Sequence, residues 1–268
     1  MSYDMAPGLI VGEPVAPPGF RSELPDAVVK SAARTIQILE YFDHVRRDVC
    51  ISEIAQALHY PPSSTSALLR SMVAMGYLQH NRIARTYRMT RRTSLLGTWV
   101  DASLVRQGAI VNLAHRLANL TGETVTLGRM NDNRVQVIYV ADPPEGKAAV
   151  CVGCQHGMAQ SAAGLALLSM LEDHQVRRIL TRLNAERAEG EEAIALPKAI
   201  DDIAKGRKDG VFVAGGSVPG HAALAMQVRH ESAGDMLVLA VEGPSARILE
   251  HQGTIAKMIK TGLIDLAG

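Results

Sequence analysis

The spacing of apolar and turn residues over residues 28–89 constrains the fold of this chain more than any other feature. Apolar side chains recur at helical spacing over residues 28–43, which predicts a first amphipathic helix. Ser52 is a suitable N-cap for a second, short helix, and a third helix is expected to begin near Ser63. Gly76 supplies the residue that most often ends a helix. Three consecutive helices are therefore predicted.

Two short segments with β character follow the third helix. Residues 77–79 and 86–89 flank a polar turn at 82–85, which predicts a hairpin. Three helices and a two-stranded ribbon, in that order, are typical of a winged helix-turn-helix. In that motif the third helix enters a DNA major groove about 12 Å wide, and its N-terminal side chains face the base edges.

The charges of the chain are unevenly distributed although the whole protein carries a formal charge of only +1. Residues 1–29 have a net charge of −3, residues 30–92 a net charge of +6, and residues 93–268 a net charge of −2. A basic segment in an otherwise neutral chain indicates a polyanionic partner for that segment. The alternative is a solvated face that is merely basic.

The predicted DNA contacts lie on the third helix, at the hairpin tip and on the first helix. They are Ser63, Ser64, Thr65, Ser66, Arg70, Arg82, Arg85, Lys30 and Arg34. The small hydroxyl side chains suit base edges or phosphate at a helix N-terminus, and the arginines suit phosphate or guanine. Ser63 also fits the role of an N-cap. Many winged helices contact only other proteins, so the pattern by itself leaves both partners open.

Several stretches, in order along most of the chain, resemble the IclR family of transcriptional regulators. The similar stretches are 29–39 in the first helix, 52–55 in the second, 61–78 around the third, 87–89 in the wing, and 153–168, 208–226 and 239–247 downstream. The resemblance implies DNA binding, which is then expected of the N-terminal segment. Ala67 departs from it by replacing a residue that is commonly basic.

The resemblance also implies the organisation of the chain. We expect an α+β protein with a flexible arm at 1–25, a winged helix-turn-helix at 26–92, a linker helix at 93–107, and a GAF-like antiparallel-sheet effector domain at 108–268. The linker carries an apolar stripe that includes Trp99. A second copy of the chain is the simplest cover for this stripe, although the helix could pack on its own domain. A homodimer is expected, and the family's precedent favours a dimer of dimers.

The pattern over the second half alternates short β-rich and helical segments. Strands are predicted at 124–127, 134–140, 148–152, 211–214, 221–228 and 236–241, and helices at 157–172, 174–183, 196–207 and 245–263.

Matching the family's ligand-contacting motifs implies a set of effector-binding residues. They are Leu127, Met158, Ser161, Ala162, His221, Ala223, Ala240 and Glu242. Helix N-terminal amides near Ser161 would suit the carboxylate of a small organic or aromatic acid. A buried Glu242 would repel such a ligand and instead accept a hydrogen bond from a phenolic or polyol hydroxyl. Glu242 could also point to solvent. Three departures, at Gly157, Ala159 and Leu165, indicate an unusual ligand site.

Cys151, Cys154 and His156 have side chains of the types that bind zinc, and His221 is a further candidate ligand. A single pair of cysteines at this spacing also fits ordinary apolar cysteines or a redox-sensing thiol pair. No cofactor is expected.

The sequence thus predicts a ligand-responsive regulator that represses a catabolic operon. Its expected partners are double-stranded operator DNA, a small organic or phenolic effector, and further copies of itself. The sequence shows no recognisable pairing of a nucleophile with a histidine or an acidic residue, so an enzyme is not expected. The acidic N-terminus does not resemble a signal peptide and no apolar run is long enough to span a bilayer, so a cytoplasmic protein without a membrane partner is expected. The alternative is a redox- or metal-responsive regulator using Cys151 and Cys154.

Overall fold

A computed structural model of the chain describes residues 28–95, 109–145, 150–187, 190, 192–228 and 236–267. The chain divides into two compact units, Met1–Leu96 and Gly97–Gly268. None of the described helices combines the length and the apolar character that crossing a bilayer would require. The predicted arm and most of the predicted linker, with Trp99, lie outside the described residues.

The first unit has the predicted helix order and a small sheet. Its elements are α1 (Lys30–Val45), β1 (Val49–Cys50), α2 (Ile51–Ala57), α3 (Pro62–Ala74), β2 (Leu78–Asn81), β3 (Thr86–Met89) and α4 (Arg91–Leu95). The hairpin β2–β3 is antiparallel, and β1, which the sequence pattern did not predict, pairs with the free side of β3. The unit is a winged helix-turn-helix.

The predicted amphipathic first helix is present, and Ile38, Tyr41 and Phe42 belong to the core of the unit. Ile38 and Tyr41 are fully buried, whereas Ile36 is 57% exposed. Apolar residues lie on more than one side of α1, and the position of α2 and α3 decides which of them are buried. Tyr41 donates a hydrogen bond to Glu53 of α2 (2.8 Å), so its hydroxyl is satisfied although its ring is buried.

The predicted serine N-caps are wrong. α2 begins after Cys50 and α3 after Pro61, and neither helix start has a side-chain cap. Pro62 occupies the first turn of α3. An N–H at this position would have no intrahelical acceptor, so proline loses no hydrogen bond there, and its ring fixes φ at a helical value. Gly76, with φ +79°, ends α3 as predicted.

The second unit is built on one six-stranded antiparallel sheet. Its order is β6-β5-β4-β9-β8-β7, formed by β4 (Thr124–Asn131), β5 (Arg134–Ala141), β6 (Gln155–Gly157), β7 (Phe212–Gly215), β8 (His221–Val228) and β9 (Leu237–Pro244). The helices are α5 (Ala109–Thr121), α6 (Ala162–Leu168), α7 (Asp173–Glu186), α8 (Leu196–Asp209), α9 (Ser245–Glu250) and α10 (Gln252–Ala267).

Helices cover both faces of this sheet. Side chains of α5, α9 and α10 pack on one face with Leu127, Leu224 and Val241. Side chains of α6, α7 and α8 pack on the other face with Ala223 and Ala240. Because strand side chains alternate between faces, residues one position apart enter different cores.

Three predicted elements differ from the structure. Residues 150–152 are not a strand, and Gln155–Gly157 forms the edge strand instead. The helix predicted at 157–172 is shorter, because Ser161 is its N-cap and accepts a hydrogen bond from Gly164 N (3.1 Å). The closing helix is divided at His251 into α9 and α10.

Candidate DNA-binding surface and ligand pocket

The exposed face of α3 carries a small set of polar side chains. Ser63 and Arg70 are exposed and Ser66 is half-buried. The Arg70 guanidinium donates to Ser66 Oγ (2.8 Å), which holds the cation along the helix surface. Ala67 lies on this face between them and adds no polar group. The face can present one cation and several hydroxyl groups to a groove.

Two of the predicted contacts have hydroxyls that are already engaged. Ser64 Oγ and Thr65 Oγ1 both donate to Pro61 O, at 3.0 and 3.1 Å. Thr65 is fully buried, in contrast to the prediction that it faces DNA. It lies two positions after Ser63, about 200° around the helix, so the two side chains point to opposite sides.

Arg34 is placed beside the start of α3 by an aromatic contact. Its guanidinium lies 4.8 Å from the ring centroid of Tyr60, the residue before the proline pair. A cation over an aromatic face is held by about 0.5–1 kcal/mol at such partly exposed sites. Lys30, one turn earlier on α1, is exposed. Both predicted contacts thus remain on the surface of the unit.

The tip of the wing is shaped by an asparagine turn. Asn81 Oδ1 accepts hydrogen bonds from Ile83 N and Ala84 N (3.0 and 3.1 Å). Arg82 and Arg85 are exposed on either side of Ile83, which is 98% exposed. Arg85 adopts the left-handed region with φ +54°. The tip therefore presents two cations. Among the described residues, no carboxylate forms a hydrogen bond or salt bridge with either of them.

A narrow pocket lies in the second unit between the sheet and the start of α6. Its sheet side is formed by Thr126, Gly128, Val135, Val137, Ala223, Ala240 and Glu242. The rest of the lining is formed by His156 of the edge strand β6, by Ser161 and Ala163 at the start of α6, and by the segment 215–217. The space has room for about one water molecule as it stands. A larger ligand must displace one of these walls.

Four of the eight predicted effector-binding residues line this pocket: Ser161, Ala223, Ala240 and Glu242. Met158 and Ala162 are fully buried in the core around α6, and His221 is not part of the lining although it has the same parity as Ala223.

Leu127 faces the opposite side of the sheet, where it packs in the core with α5 and α10. Its placement corrects the prediction, because its neighbours Thr126 and Gly128 face the pocket instead.

Glu242 is the acidic group of the pocket, and the protein holds it firmly. The residue is 4% exposed. Its Oε2 accepts hydrogen bonds from Ser217 N (2.9 Å) and Ser217 Oγ (2.7 Å). Bonds to a carboxylate are stronger than bonds between neutral groups. The carboxylate is therefore inside the pocket and does not point to solvent.

His156, which the sequence predicted only as a candidate zinc ligand, is a pocket residue. Burial lowers its pKa from the ordinary value of 6.5, and the Glu242 carboxylate opposes this shift. Its Nε2 is buried and has no hydrogen-bond partner among the described residues. The edge strand β6 places it there by pairing His156 with Val135, and no sequence pattern marked this strand.

The expected anion site at Ser161 is satisfied in part by the protein itself. Ser161 Oγ accepts from Gly164 N and donates to Gly157 O (2.7 Å). The helix that follows has only seven residues. One of the N-terminal amides that were expected to bind a carboxylate thus has an internal partner.

Cys151 and Cys154 form a disulfide. Sulfurs that are joined to each other are not available as thiolate ligands, and no cluster suited to a metal ion is found in the described part of the chain. Backbone hydrogen bonds connect the four-residue loop to β5, from Gly153 N to Val137 O (2.7 Å) and from Val137 N to Cys154 O (2.9 Å). The loop therefore supports the strand whose Val137 lines the pocket.

A winged helix-turn-helix in the same chain as a helix-covered antiparallel sheet with an internal pocket is the architecture of a ligand-binding transcriptional regulator. Comparison with known proteins agrees. The family model "IclR helix-turn-helix domain" matches residues 31–82, and "Bacterial transcriptional regulator IclR C-terminal" matches residues 104–263. The chain belongs to the IclR family of bacterial transcriptional regulators, whose members are not enzymes.

Individual relatives are distant but cover most of the chain. The acetate operon repressor of Salmonella typhimurium is 25% identical over 242 residues, which are 84% of each protein. The structure of an IclR transcriptional regulator from Alicyclobacillus acidocaldarius has a TM-score of 0.55 at 25% identity and covers 89% of this chain and 98% of its own. An IclR homolog from Microbacterium hydrocarbonoxydans, solved with 4-hydroxybenzoate, has a TM-score of 0.52 at 18% identity and covers 88% and 97%.

Proposed function

We propose that this protein is a repressor of a catabolic operon whose hold on operator DNA is controlled by a small organic molecule in the pocket beside Glu242. The observation that carries the proposal is the joint exposure of Arg70 on α3 and of Arg82 and Arg85 on the wing. These cations are on the two elements that a winged helix-turn-helix applies to DNA. Their charges account for part of the net +6 of residues 30–92.

A mobility-shift assay against the DNA upstream of the protein's own gene tests the proposal. We expect a sequence-selective complex that weakens steeply between two salt concentrations, because phosphate contacts release counterions. Failure to bind this or other operator candidates selectively would contradict the proposal.

Substitution of single arginines sharpens this test. Arg70→Ala and Arg85→Ala should each weaken operator binding about tenfold, as expected for loss of a phosphate or base contact. Arg178→Ala, an exposed arginine on α7, is the matched control and should bind as the unmodified protein does. All variants should keep the same thermal transition, since these side chains are at the surface. Unchanged DNA affinity in Arg70→Ala and Arg85→Ala would contradict the assigned surface.

The effector is proposed to be a small aromatic or phenolic molecule or a related organic compound. Support comes from the pocket's mixed lining, in which apolar side chains such as Val135 and Val137 lie beside the polar groups of His156 and Glu242, as in small-molecule sites. The homolog from Microbacterium hydrocarbonoxydans holds 4-hydroxybenzoate, which is a phenol as well as an acid.

A second candidate is control by thiol redox state, favoured by the Cys151–Cys154 disulfide next to β5. A dithiol such as dithiothreitol would reduce this bond to two thiols and itself become a cyclic disulfide. Reduction would release the loop from one constraint beside Val137. We expect operator affinity or effector affinity to change on reduction in the unmodified protein and not in Cys151→Ser. Equal affinities with and without dithiothreitol would contradict redox control.

A further inference from the structure

We propose that the pocket selects an uncharged, hydroxylated ligand and excludes carboxylates, and that the ligand's hydroxyl replaces Ser217 as the donor to Glu242. This inference rests on the proposed function and specifies the chemistry of its effector.

The charges of the pocket exclude an anionic ligand. Among the described residues that line it, Glu242 is acidic and none is a lysine or arginine. Burial lowers the pKa of His156, so its ring is neutral at neutral pH and supplies no positive charge. A second carboxylate beside Glu242 would be repelled at short range in a site that excludes water.

One of the helix N-terminal amides that could have offset this repulsion is not free. Ser161 Oγ accepts from Gly164 N, so a ligand carboxylate could bond that amide only by displacing the serine side chain. Repulsion by Glu242 would act on the ligand carboxylate as well.

Two groups remain that a hydroxylated ligand would satisfy. Glu242 accepts hydrogen bonds, and His156 has a buried Nε2 with no partner among the described residues. A hydroxyl can donate to the carboxylate, and a second polar group of the ligand can bond the imidazole. An ammonium group would also pair with Glu242, but the burial that lowers the pKa of His156 disfavours a cation in this pocket.

Ser217 occupies the place of the ligand in the closed pocket. Both of its donors, N and Oγ, are directed to Glu242 Oε2. The pocket has room for only about one water molecule, so a ligand enters by moving this segment away from β9. Because Gly215 and Gly216 precede Ser217, the segment carries little side-chain bulk. Ligand binding thus exchanges an internal hydrogen bond for an external one.

Isothermal titration of the full-length protein at pH 7.5 tests this with three probes that differ in one group: 4-hydroxybenzyl alcohol, 4-hydroxybenzoate and 4-hydroxybenzylamine. We expect the alcohol to bind at least tenfold more tightly than the acid, the effect of one charge-assisted contact. Glu242→Gln should reduce that preference to about twofold or less, because the repelling charge is gone and the volume is kept. Ser217→Ala should tighten binding of the alcohol because it removes the hydroxyl donor, one of the two internal donors to Glu242, and Arg178→Ala is the control.

Equal or tighter binding of the acid, tighter binding of the amine, no binding of the alcohol, or an unaltered preference in Glu242→Gln would each overturn the inference. The thermal transition of Glu242→Gln is measured beside each titration, and Ser217→Ala provides an independent variant that keeps the carboxylate. Operator binding without probe is measured separately, so a failure of ligand selectivity is distinguishable from a failure of the proposed regulator function.

Discussion

His156 illustrates how burial of one side chain makes stability depend on pH. Its folded pKa is below 6.5, chiefly because burial disfavours the charged ring. Between 6.5 and the folded pKa, the unfolded chain binds a proton that the folded chain does not bind. The contribution of His156 to stability is therefore present above pH 6.5 and is lost as the pH falls toward the folded pKa.

We expect His156→Gln to remove this dependence. Urea unfolding at pH 7.5 and 5.5 should show a smaller loss of the free energy of unfolding in the variant than in the unmodified protein. His174→Gln, an exposed histidine on α7, is the control and provides the reference pH slope. Identical slopes in His156→Gln and the unmodified protein would show that the ring is not desolvated in solution.

Glu123 is a buried carboxylate outside the pocket, and an arginine pairs with it. It is 6% exposed and is bonded by Arg247 at Oε1 (2.7 Å, to Nε) and Oε2 (2.9 Å, to Nη2). Such two-point pairing is a strong form of ion pair because both oxygens are satisfied. The ion pair connects the start of β4 to α9, which follows β9 directly.

At the scale of elements, α6 is fixed by close backbone contact. A Cβ on Gly164 would lie 2.2 Å from Met158 O and 2.5 Å from Met158 Cα. Because those are backbone atoms, they cannot rotate away as a side chain could. The helix can therefore approach the segment that precedes it only with glycine at this position, and this approach places Ser161 at the pocket.

We expect Gly164→Ala to destabilise the second unit by about 1–3 kcal/mol, the usual cost of overpacking. Gly253→Ala on α10 is the matched control, since nothing lies within 4 Å of its Cβ position. There the substitution should be neutral or stabilise by up to about 1 kcal/mol. Urea denaturation followed by circular dichroism measures both. A neutral Gly164→Ala would mean that α6 is farther from Met158 in solution.

At the scale of the whole molecule, operator recognition calls for two copies of the chain. One winged helix-turn-helix reads a single half-site, and half-sites of a symmetric operator are about one helical turn or a multiple of it apart. We expect sedimentation velocity to show two or four chains per operator duplex and a dimer or larger species without DNA. A complex with one chain per duplex would contradict this prediction.

The sequence alone determined the order of most elements in both units, although it did not predict β1 or β6. Helical periodicity at 28–43 and 196–207, and alternating β-rich segments such as 221–228, are local signals, because they depend on spacing along one chain. Gly76 ended α3 for a similarly local reason, since it adopts a positive φ. Four pocket residues were also predictable, from their position in motifs that resemble a known family.

Only the tertiary structure decided which side chains of these elements face the DNA-binding surface or the pocket and which are buried in the core. Thr65 and Ser63 share one helix and one chemistry, but packing buries the first and exposes the second. Leu127 and Thr126 are neighbours, and the sheet sends one to the α5 core and the other to the pocket. His156 lies in the pocket because β6 pairs with β5. Ser217 lies there because it donates a hydrogen bond to Glu242, which is 25 residues later in the sequence. Such contacts join residues that are far apart in sequence, so no local pattern records them, and their energies exist only once the sheet has formed.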